Sequence, residues 1–500
     1  MIKVKLITPA GKKIVQAEQG ILLAELIIRA GYFIDRPCAG RGVCGKCRVQ
    51  VQGEVSKPNE NEEKLLTPSE LSAGWRLACQ AHILGETEVL LSEKSVITDK
   101  IFSQEYSVEQ LKAPFGIALD LGTTTVGAFL STLKDGMIHR GNAVLNQQAI
   151  YGAEVISRME QALKNKAKEL KKLAELSIEQ AIKGLGLKDS QLKEIQRIVV
   201  VGNSVMHHLL LGLSVKKLAQ LPFQPEDKSA RKITAKLWGK EIEVWFPPLL
   251  GGFVGSDALA CLLYLGFHTA KEPISAIDLG TNGEVMVSNG REILVTSTAA
   301  GPAFEGVNIE CGIRAVKGAI TRVKREPEGK LSWEVIGGGE PEGLAGSGLI
   351  SLVALLRKEG LITPQGNLLV EGGKFFLTEK VYLSQRDVRE VQKAKSAIRS
   401  AYEILLDQLG LAPSEIKHLT ITGSFGARIE VEDLLELGVI PEVERSRIRS
   451  YPNSAGMGAG MMLHPEAFEF ACQLAEKVKH IELNTYQNFM ERFIENMKLG

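Results

Sequence analysis

Four cysteines constrain this chain more than any other feature. Cys38, Cys44 and Cys47 fall within R-P-C-A-G-R-G-V-C-G-K-C-R (36–48), and Cys79 follows after a gap of thirty-one residues. The pattern C-x5-C-x2-C…C sets a glycine-rich triplet of thiols against a distant single one. Four thiolates divided in this way suit a two-iron, two-sulfur (2Fe-2S) cluster, in which each iron takes two cysteines. Gly40, Gly42 and Gly45 let such a loop wrap closely, because glycine adopts positive φ and admits near backbone approach at no steric cost. A zinc site is the competing reading, since C-x2-C is common there. Zinc sites usually pair two close doublets, however, and here the last cysteine stands alone.

The flanks agree with a cluster domain. Residues 2–7 alternate apolar and basic, as a half-buried strand does. A second short strand fits 13–16, an apolar helix fits 21–30 and ends at Gly31, and Val49 and Val51 alternate after the triplet. Segment 54–70, polar and punctuated by Pro58 and Pro68, reads as a surface excursion, and 88–91 as a closing strand. This order is that of a small ubiquitin-like (β-grasp) ferredoxin over 1–92. The triplet resembles the plant-type spacing, widened by one residue as in adrenodoxin-like ferredoxins. Arg36, Arg41, Lys46 and Arg48 surround the loop. They form either a solvated rim or a basic collar for an acidic redox partner.

Five hundred residues imply two to four domains. A net charge of +1 gives no global reason to expect nucleic acid or a membrane surface, and no apolar run is as long as a membrane span. The alternating start, M-I-K-V-K-L, is unlike a secretory signal. Seven cysteines without a disulfide pattern point to a reducing cytoplasm. Cys261, Cys311 and Cys472 read as small buried hydrophobes, with an intersubunit cluster as the alternative.

Residues 93–115 read as a linker, on which a cluster could swing between donor and acceptor. From 116 the character changes. G-I-A-L-D-L-G-T-T-T-V-G-A-F-L-S (116–131) is a buried strand, a glycine turn and a second strand. Backbone N–H groups and hydroxyls of Gly122, Thr123, Thr124 and Thr125 suit phosphates, and Asp120 suits Mg2+ through water. A-I-D-L-G-T-N-G-E-V-M-V (276–287) repeats the device with Asp278, Gly280, Thr281, Asn282 and Gly283. Two such hairpins imply two similar lobes, 116–274 and 275–500, clamping one nucleotide. A third strand, H-L-T-I-T, runs into Gly423, Ser424 and Gly426, where a flat backbone suits a base or ribose. N-S-A-G-M-G-A-G (453–460) combines a helix start with residues small enough for close packing at a hinge.

Other positions carry less chemistry. Residues 160–183 read as one helix stopped by Gly184 and Gly186, with Lys164 to Lys172 on a solvated face rather than a nucleic-acid patch. Residues 197–201 read as a core strand. His207 and His208 point two ways around a helix, so they read as packing or partner residues. Asp257, at a helix start, is either an acid favoured by the helix dipole or a carboxylate near the attacking water. Glu154 and Glu284 are further candidates for that role. Loop 297–306, with Ser297 and Thr298 as polar tips, reads as structural or as a partner-sensing switch. Stretches 388–409 and 465–498 read as long amphipathic helices.

D-L-G-T-T-T, D-L-G-T-N-G-E, T-G-S-F-G and S-A-G-M-G-A resemble the two phosphate motifs, the adenosine motif and the second connecting motif of the actin/sugar kinase/heat-shock-chaperone ATPase superfamily, over roughly 116–465. G-N-S-V-M-H-H-L-L-L-G (202–212), G-P-A-F-E-G (301–306), A-G-S-G-L-I (345–350) and A-K-S-A-I-R (394–399) resemble the branch fused to a two-iron ferredoxin, which contains the reductive activators of corrinoid proteins. The resemblance implies an α/β fold: a β-grasp ferredoxin followed by a two-lobed actin-like ATPase with duplicated ribonuclease H-like subdomains. It further implies ATP-driven reduction of a corrinoid protein from Co(II) to Co(I), a low-potential donor such as ferredoxin or flavodoxin, and a homodimer. The short approach to the first lobe leaves no room for an extra middle domain before it. An activator of a radical dehydratase would usually carry a four-iron cluster between subunits instead. A sugar kinase would have no use for the ferredoxin, and a chaperone would need a peptide-binding domain.

Overall fold

The computed structural model describes residues 2–8, 11–30, 32, 34, 38, 40–91, 99–100, 111–423 and 429–500. The first unit is a mixed five-stranded sheet. Its strands run in the spatial order Gly11–Ala17, Ile2–Thr8, Ile83–Leu90, Arg48–Val55, Trp75–Leu77. The first strand pairs antiparallel with the second and parallel with 83–90, which is the β-grasp arrangement. Helix Leu23–Arg29 buries Leu23, Leu26, Ile27 and Ile28 across the sheet; the expected stop at Gly31 lies outside the described residues.

Segment 54–70 is more ordered than its prolines suggested. It holds two short helices, Glu60–Leu65 and Pro68–Ser72, each opened by a capping box, Asn59 with Glu62 and Thr67 with Glu70. Pro68 stands at the first helical position, where its missing N–H costs nothing. Glu62 is buried and takes a bidentate pair of hydrogen bonds from Arg76 at 2.9 and 2.8 Å, plus the Leu77 N–H at 2.9 Å.

Two larger sheets follow with one topology. In the first, Phe115–Leu121, Thr125–Thr132 and Ile138–Leu145 form an antiparallel meander, and Ile195–Gly202 lies parallel to 115–121 with Lys240–Phe246 parallel beyond it. In the second, Ile274–Leu279, Gly283–Ser288 and Ile293–Thr298 form the meander, followed by the parallel strands His418–Thr422 and Ile448–Ser450. This duplicated sheet is the ribonuclease H-like subdomain the repeated hairpins implied. Each sheet has its own core against its helices, and a third core lies between the two sheets.

Three expectations need correction. Asp99–Lys100, within the stretch read as linker, pairs with 138–145 and extends the first lobe's sheet; 92–98 and 101–110 lie outside the described residues. The helix expected over 160–183 is two helices, Val155–Gln161 and Ala167–Gly184, broken where Asn165 takes φ 68°. The single helix expected over 465–498 is helix Pro465–Lys477, strand Val478–His480 and helix Phe489–Glu495. The strand pairs parallel with 293–298 and completes the second sheet. Among the described residues no helix is long and apolar enough to cross a membrane.

Candidate functional site: a thiol cage and an interlobe cleft

The cysteine loop folds into a cage. Cys38, Cys47 and Cys79 are buried and Cys44 is half-buried, all with free thiols. Cys44 Sγ lies 3.3 Å from Cys38 Sγ, and Cys79 reaches both Cys38 and Cys47. Gly40, Gly42 and Gly45 have φ of 83°, 73° and 66°, so the loop turns left-handed three times around the sulfurs. Crowding makes the thiols unequal. Donation from Cys44 and Cys79 drives Cys38 far below the ordinary thiol range, while the contact with Cys38, followed by burial, drives Cys44 and Cys79 far above it.

Gln80 supplies what sequence reasoning did not see. Its Nε2 donates to Gly40 O at 2.7 Å and lies 3.4 Å from Cys79 Sγ, a side-chain donor aimed at a ligand sulfur. These residues fit a two-iron cluster in number, burial, charge and hydrogen-bond supply.

The described basic residues around the loop, read as either a solvated rim or a collar for an acidic partner, hydrogen-bond within the chain. Arg41 Nε donates to Cys38 O, and Arg48 holds Gly45 O, Leu65 O and the Glu70 carboxylate. Lys46 Nζ donates to three carbonyls of the second lobe, Ile309, Glu310 and Gly312, at 3.2, 3.0 and 3.2 Å. Arg36 lies outside the described residues. On the other side, Ile150, Tyr151 and Leu173 of the first lobe pack on the ferredoxin core.

The two glycine hairpins face each other. Their turns, 122–124 and 280–282, bring Thr124 Oγ1 to 2.9 Å from Thr281 Oγ1. Asp120 and Asp278 end the two equivalent strands. Two helices cross behind them, Ser256–Tyr264 and Ser454–Met461, and each serves the opposite lobe. Asn453 caps the second helix through Gly456 N–H and donates to Asp120 Oδ2 at 2.9 Å. Cys261 on the first helix sits 3.5 Å from Asp278 Oδ2. Asn203 caps helix Ser204–Leu211 and donates to Thr123 Oγ1 at 2.9 Å. A helix-capping asparagine after a strand is the sequence signal for Asn203 and Asn453. Cys261 carried none beyond its burial.

Carboxylates crowd the cleft floor. Burial, then the charge of Asp278, pushes Asp120 up to about 7. Burial, then Asp120, does the same for Asp257, to about 7. Burial raises Asp278 to about 6, and burial with Asp257 and Asp278 raises Glu284 well above the carboxylate range. Glu284 accepts from Ser297 Oγ. Such a group of acids wants a cation. Among the described residues no three of these carboxylates converge closely enough to hold one ion.

Strand His418–Thr422 runs into Gly423, φ 104°, where a Cβ would stand 2.4 Å from Leu279 O and 2.5 Å from Asp278 Oδ1. Ser424 and Gly426 lie outside the described residues. Asn282 lies in the second turn, and Thr125 and Gly283 begin the strands that follow the turns. His207 and His208 do pack. His207 stacks on Phe246, and His208 donates from Nδ1 to Ser204 O and accepts the Glu226 N–H at Nε2.

A cluster cage joined to two facing ribonuclease H-like lobes defines a ferredoxin-fused ATPase of the actin-like class. Comparison with known proteins narrows the class. A profile described as "2Fe-2S iron-sulfur cluster binding domain" matches 7–84, "RACo middle region" matches 115–270, and "C-terminal domain of RACo the ASKHA domain" matches 272–500. The middle region coincides with the stretch read above as the first lobe. The chain is 35% identical over 429 residues to "Corrinoid activation enzyme RamQ" of Eubacterium limosum, covering 79% of this chain and 72% of that one. It is 27% identical over 415 residues to "[Co(II) methylated amine-specific corrinoid protein] reductase" of Methanosarcina barkeri, covering 75% of each. A solved structure, "Reductive activator for corrinoid,iron-sulfur protein", shares the fold at TM-score 0.69 and 23% identity, covering 99% of this chain and 98% of that one. The chain belongs to the RACo family, the reductive activators of corrinoid proteins.

Proposed function

We propose that this chain is an ATP-dependent reductase that restores a corrinoid protein from Co(II) to Co(I) by one-electron transfer through a 2Fe-2S cluster. The observation that carries the reading is a cluster cage held by Lys46 against the lobe that presents the second phosphate hairpin. A redox centre tied to a nucleotide cleft answers a specific physical need. Plant-type clusters sit near about −400 mV, and each further 59 mV of deficit costs about a factor of ten in a one-electron equilibrium. Nucleotide can offset that deficit only by changing how tightly the two redox states of the partner are held.

In this reading Cys38, Cys44, Cys47 and Cys79 hold the cluster, which accepts and passes on single electrons when bound. Thr123, Thr124, Thr125, Thr281 and Asn282 donate to the phosphates, with Gly122, Gly280 and Gly283 keeping the turns close. Gly423, Ser424 and Gly426 hold the adenosine. Asp120 and Asp278 would hold an Mg2+ ion, whose charge would offset the burial that raises their proton affinity. Asp257 and Glu284 stand nearest in electrostatic terms to receive a proton from the attacking water. The electron comes from a low-potential donor such as ferredoxin or flavodoxin, and the protein works as a homodimer in a reducing cytoplasm.

The test is optical. The reconstituted protein is mixed with a Co(II) corrinoid protein and a strong reductant, and the Co(I) band is followed with and without Mg-ATP. The band should require ATP and be lost in Cys44→Ser. ATP hydrolysis with cobalt fixed at Co(II), across several corrinoid partners, would assign the chain another acceptor.

A further inference from the structure

Glu305 has no part in the assignments above, yet it joins both halves of the cleft. It closes the short turn Pro302–Glu305 and is 4% exposed. One carboxylate oxygen accepts from Thr124 Oγ1 at 2.6 Å and the other from Thr281 Oγ1. The two donors belong to the two hairpins that face each other. A carboxylate seated between hydroxyls assigned to phosphate offers them the same chemistry, an anion with paired acceptor oxygens.

One buried neighbour favours an anion, against the acids of the cleft floor and Glu154. Arg158 is fully buried; its Nε donates to Gly152 O and its Nη1 to Gln148 Oε1, with Met206 Sδ alongside. Its Nη2 finds no acceptor among the described residues. Burial, then Arg314, lowers the proton affinity of Arg158 to about 9, and Glu305 is the carboxylate that opposes this. A buried guanidinium with an unfilled arm is costly until an acceptor arrives.

Glu305 is also anchored to the cluster. Gly306, φ 71°, turns the chain directly after it. Four to seven residues on from Glu305, the carbonyls of Ile309, Glu310 and Gly312 take the three N–H bonds of Lys46, which stands between Cys44 and Cys47. An ammonium has three donors, and here three acceptors converge on it, so a modest shift of 306–312 breaks the match.

We propose that Glu305 occupies the seat of the nucleotide's terminal phosphate, that a triphosphate displaces it, and that the displacement frees Lys46 and loosens the cluster loop from the second lobe. A diphosphate leaves Glu305 in place. This inference rests on reading the cleft as an ATP site, and no bond or electron changes hands in the step itself. It makes Glu305 a positioning residue that reports the presence of the γ-phosphate to the redox centre.

The test uses the cluster-loaded full chain. Mg-ADP and a non-hydrolysable Mg-ATP analogue are titrated calorimetrically into wild type, Glu305→Ala and Glu305→Gln. In Glu305→Ala the analogue should bind roughly tenfold more tightly, about the worth of one hydrogen bond to a charged acceptor, with ADP within about twofold. Glu305→Gln should fall between. An equal change for both nucleotides, or a weakened analogue, overturns the proposal, because Glu305 would then be scaffold or ligand. Failure of wild type to bind either nucleotide removes the ATP reading itself, and this proposal with it.

The second arm follows the cluster. The analogue, but not ADP, should alter the electron paramagnetic resonance signal of the reduced cluster and speed amide exchange over 306–313. In Lys46→Met loaded with two irons the signal should no longer respond, and the analogue should bind more tightly than to wild type because the contact it has to break is gone, with ADP within about twofold. An unresponsive wild-type signal, unchanged exchange over 306–313, or an equal response in Lys46→Met overturns the proposal.

Discussion

Gly423 shows how little room a single residue has at the cleft. Its φ of 104° is one that side-chain-bearing residues rarely adopt, and a Cβ there would strike both Leu279 O and Asp278 Oδ1. Gly423→Ala should therefore weaken nucleotide binding by on the order of tenfold, the worth of one to three kcal/mol of backbone strain, while iron content is unchanged; titration calorimetry reads the first and iron analysis the second. His207 makes a prediction of the opposite kind, about pH. Burial, then the charge of His208, lowers it to about 3, and its Nε2 has no partner among the described residues. The folded value lies below the unfolded one of about 6.5, so below that pH the unfolded chain takes up a proton the folded chain cannot. The stability is whole above about pH 6.5 and declines as pH falls towards 3, by about 2 kcal/mol at pH 5. His207→Phe keeps the stack on Phe246 without the titration. Urea unfolding at pH 7 and pH 5 should show the gap between variant and wild type shift by about that amount; a gap that does not move with pH would remove the assignment.

The crossing helices are the elements through which the lobes meet. Gly458 lies so close to the other helix that a Cβ would stand 2.0 Å from Ala260 O. Gly458→Val should force the pair apart at a cost of about 1 to 3 kcal/mol and slow ATP hydrolysis, with the cluster spectrum intact because the ferredoxin sheet has its own core. Thermal melts and a phosphate-release assay together check this. That packing was legible in N-S-A-G-M-G-A-G, as the two hairpins were in their repeated D-L-G-T, because both depend on residues near one another in the chain. The capping boxes at Asn59 and Thr67 were also written in the sequence, but Pro58 and Pro68 drew the reading towards a loop. The break at Asn165 was not legible, since neither glycine nor proline marks it. Strand 478–480 was hidden for another reason. Its identity comes from pairing with 293–298, and periodicity along 465–498 carries no information about that partner. The same limit hid Asn453, whose contact with Asp120 spans 333 residues, and Glu305, whose two donors lie on different lobes.

At the scale of the molecule, the ferredoxin touches both lobes, through Lys46 on one and through Ile150, Tyr151 and Leu173 on the other. The lobes meet through the helix pair and the facing threonines. A nucleotide held by both hairpins binds only when both lobes are folded and apposed, so by mass action it stabilises them as one unit. At a hundredfold excess over Kd that linkage amounts to about 2.7 kcal/mol. The ferredoxin sheet has a core built mainly from its own residues, with Ile150, Tyr151 and Leu173 of the first lobe packed on it, so it receives a smaller part of this gain. Scanning calorimetry with Mg-ADP should therefore raise the Tm of a single transition that carries both lobes. The loss of cluster absorbance, followed in parallel, should move less. Two lobe transitions of which ADP moves only one would mean that the nucleotide is held by one hairpin, and the reading of 122–124 and 280–282 as two sides of one site would have to be given up.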